Sequence, residues 1–245
     1  MSQPLIETIN RLYMKGTHKA VRPVDASSMI LLDRRGNVPR FLMGKRNPAA
    51  KFMPGVFVFP GGRIEKSDGD APHAGSLSSA DMARMGRMAG RMTARRLRSL
   101  ALGAIRETFE ETGFRLAVPA SGPLPAVADP SWAEFLAAGV VPNLDGVLFF
   151  SRAVTPPGRP RRFDTRFFVV DVTDIADLST VRPTPESELV ELKWVSLEEA
   201  ETIETVEITQ IILTELKRFV LAELAPDLPR PFFRAWHGKF QRIAL

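Results

Sequence analysis

Residues 101–114, ALGAIRETFEETGF, place Glu107, Glu110 and Glu111 behind Arg106 and ahead of Gly113. At about 100° per residue on an α-helix, positions i, i+3 and i+4 share one face, so the three carboxylates converge instead of spreading around the cylinder. Carboxylates gathered this way repel one another and are costly to hold unless a cation neutralises them. Oxygen donors without sulfur suit Mg²⁺ or Mn²⁺, hard ions that keep several waters and complete their shells with substrate phosphates. The competing reading is a solvated acidic face paired to Arg106, and the helix alone leaves both open.

The glycine turn upstream adds a second feature. Gly61-Gly62-Arg63-Ile64-Glu65-Lys66-Ser67-Asp68, followed by RETFEETGF, resembles the Nudix box, G-x5-E-x7-R-E-U-x-E-E-x-G-U, with U a bulky aliphatic. Gly62 stands at the first glycine, Asp68 at the first acid, Arg106 and Glu107 at the R-E pair, Glu110 and Glu111 at the E-E pair, Gly113 at the last glycine and Phe114 at the final apolar position. Three departures stand out. Asp68 replaces Glu, Thr108 replaces an aliphatic, and residues 69–105 occupy a gap that the motif spans with seven. The loop must therefore bulge out and return for the glycine turn to meet the helix.

The resemblance implies an α/β fold, the Nudix α/β/α sandwich with a mixed β-sheet, here carrying an inserted helical subdomain at 69–100. It also implies divalent ions held by Glu107, Glu110 and Glu111 with Gly61, and Arg106 orienting the carboxylates. The implied chemistry is attack of water on a phosphorus of a nucleoside diphosphate linked to another group. Glu110 is the expected activator of that water, with Arg106 and Glu111 as its catalytic companions and Glu186 or Glu188 as outside candidates.

A long insertion at this place is known in the branch of the family that contains peroxisomal coenzyme A diphosphatases. Their second signature, L-L-T-x-R-[SA]-x3-R-x3-G-x3-F-P-G-G, is matched in register by Leu42, Arg46, Gly55, Phe59, Pro60, Gly61 and Gly62. Met43, Gly44, Asn47 and Lys51 depart from it; Lys51 keeps the charge of the second arginine without its bidentate grip on phosphate. This resemblance implies coenzyme A or acyl-coenzyme A as substrate, cleaved to 3′,5′-ADP and (acyl-)4′-phosphopantetheine, with Arg46, Lys51, Arg161 and Arg162 as substrate-binding residues. Alternatives are another nucleoside diphosphate derivative, such as NADH or ADP-ribose, and a Nudix module that senses a nucleotide without turnover.

Strands at 24–33 and 40–45, joined across RRGNVP, form an expected hairpin, and a short strand at 56–59 leads into the glycine turn. Residues 80–112 read as mostly helical and end at Gly113. A short helix at 132–138, apolar strands at 146–154, 166–172 and 189–195, and an amphipathic helix at 205–224 complete one domain with its core at about 24–224. Ser196 and Glu199 have the spacing of a capping box. In the insertion, Met82, Met85, Met88 and Met92 fall at helical spacing. So do Arg84, Arg87, Arg91, Arg95 and Arg98, which form either the solvated side of a packed helix or a comb for the substrate. Asp164 is expected to cap its turn or to orient an arginine.

The 245 residues are 44% hydrophobic and include no cysteine, which excludes disulfides and thiolate metal sites and fits the cytoplasm. Metal ligands are thereby limited to oxygen donors and to His18, His73 and His237. A net charge of +5 favours an anionic partner, taken to be a small nucleotide derivative. The N-terminal residues lack a leader pattern, no apolar run reaches the ~20 residues of a membrane span, and the final IAL is not a Ser-Lys-Leu address. No nucleic-acid module is recognisable, and the aromatic and basic C-terminal segment is expected to be a packed tail; a homodimer is a family-level expectation.

Overall fold

The computed structural model describes residues 3–14, 21–174, 183–184, 186–225 and 227–245; His18 lies outside them. Its centre is β1 (Val24–Asp33), whose SSMILL run is buried on both faces. Period-two alternation sends Met29 and Leu31 to one side and Ile30 and Leu32 to the other. β1 pairs antiparallel with β2 (Arg40–Arg46), as the RRGNVP turn predicts, and parallel with β8 (Phe163–Asp171). Two strands flanking the glycine turn, β3 (Phe57–Val58) and β4 (Gly61–Arg63), pair with β2 and β1. Further out, β7 (Leu148–Val154) pairs with β8, β9 (Leu189–Ser196) with β2, and β10 (Pro231–Trp236) runs parallel to β7 and antiparallel to β11 (Lys239–Ala244). Among the described residues this is a nine-stranded mixed sheet; β5 (Ala117–Pro119) and β6 (Val140–Pro142) form a separate pair.

Helices cover both faces, giving the expected α/β/α layering. On one side α2 (Ser79–Gly86), α3 (Ala94–Thr112) and α4 (Pro130–Leu136) bury Met85, Leu100, Ile105 and Trp132 against Leu31 and Phe149. On the other, α1 (Gln3–Tyr13) and α5 (Glu207–Leu221) bury Ile9, Ile212 and Leu216 against Ile30 and Phe41. The capping box at Ser196 and Glu199 forms reciprocally, Glu199 N–H to Ser196 Oγ at 3.1 Å and Ser196 N–H to Glu199 Oε2 at 2.8 Å, although only a single helical turn follows. The C-terminal tail is the β10–β11 hairpin. Among the described residues no helix is long and apolar enough to cross a membrane.

The segment 80–112 is mostly helical, as expected, and holds two helices. Met88 and Gly90 adopt positive φ (53° and 70°) and break it between α2 and α3, and each piece has its own cap, Ser78 accepting from Asp81 N–H and Thr93 from Arg96 N–H. The methionine stripe packs in part: Met85 is buried, Met82 and Met92 lie against the core, and Met88 is exposed. Arg84, Arg95 and Arg96 are paired to Asp81, Asp70 and Asp25. The insertion thus supplies α2 and the first turns of α3 to the layer that the box helix belongs to.

Candidate functional site

Gly113 ends α3 in the left-handed region (φ 77°), its N–H donating to Phe109 O. The split motif is held together by one side chain upstream of that glycine, Arg106, which is about 3% exposed. Its Nε and Nη2 donate to Asp68 Oδ1 and Oδ2 at 2.8 and 3.2 Å, Nη2 also donates to Arg63 O at 2.9 Å, and Nη1 reaches Glu110 Oε1 at 2.9 Å and Glu107 Oε1 at 3.0 Å. The chain therefore returns after residues 69–105 to close the motif, as the spacing requires. Burial opposes the Arg106 charge, yet Asp68, Glu107 and Glu110 outweigh it and raise its pKa.

Close approach makes this possible. A Cβ on Gly62 would stand 2.5 Å from the Glu107 carboxylate, and one on Gly103 would stand 2.6 Å from Ile64 and 2.8 Å from Asp68 Oδ2. Glycine at both positions lets the turn lie directly on the helix. On the turn's other side the Gly61 N–H donates to Glu111 Oε2 at 2.9 Å.

Asp68 is fully buried and saturated: besides Arg106 it accepts from Glu65 N–H at 2.8 Å and from the Trp132 indole N–H at 3.1 Å. The helix that carries Trp132, α4, is capped by Asp129, whose other oxygen accepts from Ser67 Oγ at 2.8 Å. Sequence reasoning missed Trp132, Asp129 and Ser67 as parts of the site. The Asp129-Pro130 pair signals a helix start, but nothing in the sequence says where that helix docks.

The three box glutamates are drawn to different partners, Glu107 and Glu110 to Arg106 and Glu111 to Gly61 N–H. Among the described residues no three acidic or histidine side chains stand gathered as a finished ligand set. Two of these carboxyls are nevertheless under-compensated. Burial pushes Glu107 up to about 7, against the pull of Arg106 and with help from Glu110. Burial likewise pushes Glu111 well above the usual carboxylate range, although Gly61 N–H favours its charged form. Buried oxygen donors short of positive charge, with no sulfur nearby, fit a hard divalent cation such as Mg²⁺ or Mn²⁺.

Arg46 borders this cluster: it lowers the Glu111 pKa electrostatically, while its Nη1 pairs with Glu188 at 2.8 Å and its Nε donates to Phe52 O at 3.0 Å. Lys51 is exposed on the loop between β2 and β3. Arg161 lies 5.9 Å from the Phe52 ring centre, whereas Arg162 uses its donors on Thr155 O and Val21 O. Asp164 orients an arginine, taking both Nε and Nη2 of Arg152 at 2.8 and 2.7 Å. Glu186 is exposed, and His73 contacts Ala71 O within its own loop; His237 lies in the turn of the C-terminal hairpin.

No family model matches the chain. A Caenorhabditis elegans protein named "Putative nudix hydrolase 7" is 30% identical over 187 residues, 71% of this chain and 52% of that protein. The chain thus spans about half the length of the curated relative it matches. The crystal structure of a NUDIX hydrolase from Alicyclobacillus acidocaldarius superposes with a TM-score of 0.65 at 23% identity, covering 85% of this chain and 97% of that one. The sheet and its helical layers are those of that fold.

Proposed function

Because the chain belongs to the Nudix hydrolase superfamily, we propose that it hydrolyses the diphosphate bond of a nucleoside diphosphate linked to another moiety, with Mg²⁺ or Mn²⁺ as cofactor. One observation carries this reading: the buried Arg106 guanidinium ties Asp68, Glu107, Glu110 and the glycine-turn carbonyl of Arg63 into one unit across the insertion. A chain with no use for the motif has no reason to keep it closed across so long a detour.

Glu107, Glu110 and Glu111, with Gly61 at the turn, would hold the ion. When bound, it supplies Lewis acidity toward the diphosphate oxygens and lowers the pKa of water. Arg106 holds Oε1 of Glu110, which leaves Oε2 to take the proton of the attacking water. Arg46 and Lys51 supply positive charge for the phosphates, Arg46 exchanging its exposed Glu188 partner for a phosphate oxygen.

Coenzyme A or acyl-coenzyme A is the substrate we infer. The matches at Leu42, Arg46, Gly55, Phe59 and Pro60 support it, and so does the position of Arg46 beside Glu111. The test is incubation with Mg²⁺ or Mn²⁺ and a panel of coenzyme A, acetyl-coenzyme A, NADH and ADP-ribose, with products separated by chromatography. Release of 3′,5′-ADP from the coenzyme A compounds is the expected result. Turnover of another compound alone would keep the hydrolase and replace the substrate; silence across the panel would leave a nucleotide-sensing module. Glu111→Gln separates those classes further, since a catalyst loses turnover while keeping substrate binding.

A further inference from the structure

Of the chain's 16 phenylalanines, 14 are buried. The two that are not, Phe52 and Phe163, touch each other, their ring centres 5.7 Å apart and inclined at 60°. Neither belongs to the core layer on either face of the sheet, so their packing there does not account for them. Phe52 sits on the loop between β2 and β3, which is closed by Arg46 N–H to Val56 O and Gly55 N–H to Arg46 O. Phe163 opens β8, its N–H donating to Thr155 Oγ1.

Arginines flank the pair. The Arg63 guanidinium lies 5.9 Å from the Phe163 ring centre and that of Arg161 lies 5.9 Å from the Phe52 ring centre, both side chains being exposed. Among the described residues no carboxylate stands within ion-pair distance of Arg63, Lys51 or Arg161. The backbone joins this patch to the site at two points, since Phe52 O accepts from Arg46 and Arg63 O accepts from Arg106.

We propose that Phe52 and Phe163, flanked by Arg63 and Arg161, seat the nucleobase of the substrate and the phosphate next to it. The nucleoside half thereby lies over the loop between β2 and β3, and the departing group points the other way. This rests on the hydrolase reading for the rest of the ligand. Aromatic rings receive bases through their faces, and every base has a π-face, so the seat favours a base over none without strongly choosing among bases. Cations left without carboxylates are free to meet phosphate oxygens.

Calorimetric titration with ADP and with methyl diphosphate, in Mg²⁺, tests the seat, because the two probes share a diphosphate and differ by the nucleoside. Wild-type protein should bind ADP about tenfold or more tightly than methyl diphosphate. Phe52→Leu and Phe163→Leu should erase that preference while leaving the affinity for methyl diphosphate unchanged, and Phe52→Tyr, which keeps a ring, should retain it. Equal wild-type affinity for both probes overturns the proposal. An equal loss of both affinities in the leucine variants also overturns it, since the rings would then act by holding the Arg46 loop. The hydrolase reading fails separately, by absence of turnover in wild-type protein whichever way the titrations fall.

Discussion

The indole N–H of Trp132 donates to Oδ1 of Asp68 at 3.1 Å, in a place where the carboxylate has no exposure and the indole almost none. That oxygen also holds Arg106 Nε, so α4 reaches Glu110 through three hydrogen bonds, by way of one carboxylate and one guanidinium. Asp68 is shorter by one methylene than the glutamate of the Nudix motif, and Trp132 helps fix it from the opposite side.

Trp132→Phe keeps an aromatic ring, deletes the donor and gives up part of the indole's buried volume. Leaving a buried carboxylate short of one bond costs about 1–3 kcal/mol, to be read from urea unfolding. As a positioning residue, Trp132 should act on kcat and leave KM near the wild-type value; a change in KM alone would contradict its link to Arg106.

Arg106→Lys retains the charge and loses the fork. One ammonium cannot serve Asp68, Glu107, Glu110 and the Arg63 carbonyl together. Removing one partner of a buried ion pair outright costs roughly 3–5 kcal/mol, and lysine, which keeps the charge, should lose part of that. The expected outcome is a clear drop in melting temperature, together with turnover lowered by about a hundredfold or more.

Gly62→Ala brings a methyl group onto the Glu107 carboxylate, 2.5 Å away. Glu107 must shift, so Mg²⁺ affinity measured by calorimetry should fall together with turnover. Gly36→Ala is the control: its Cβ would meet nothing within 4 Å. That variant should match wild-type protein in both measurements.

The metal-free protein should lose stability as pH rises from about 4.5 to about 7. Folded Glu107 keeps its proton up to about 7, whereas the unfolded chain releases it near 4.5. The folded state therefore holds more protons across that window, and unfolding becomes easier with rising pH. Melting temperatures recorded in chelator should show this decline, which Glu107→Gln should flatten relative to wild-type protein. Added Mg²⁺ should restore stability most at the upper end of the window, because binding displaces those protons.

The sheet's inner strands were legible because their signals are local. The SSMILL run has the apolar continuity of a strand buried on both faces, and Gly113 has the freedom a helix end requires. The shared face of the box glutamates was legible too, since i, i+3, i+4 spacing follows from helical geometry, while that spacing alone left a solvated acidic face open as well. The break between α2 and α3 was not: Met88, an ordinary helix former, adopts positive φ there, two residues before Gly90. Nor was the helix at residues 3–13, whose apolar side makes sense only once α5 and the sheet offer it a surface.

Residue spacing made the shared face of the three glutamates legible, and the resemblance to the Nudix box implied the layered fold and the return of the chain after Asp68. Contacts distant in sequence belonged to the tertiary structure. It set Trp132 on Asp68, Arg46 on Glu188, and Phe52 on Phe163, pairs separated by 64, 142 and 111 positions whose meeting depends on how the layers pack. It also decided which carboxylates are desolvated: Glu107 and Glu111 carry raised pKa values because the glycine turn covers them, and burial is a property of the assembled layers, not of helical spacing.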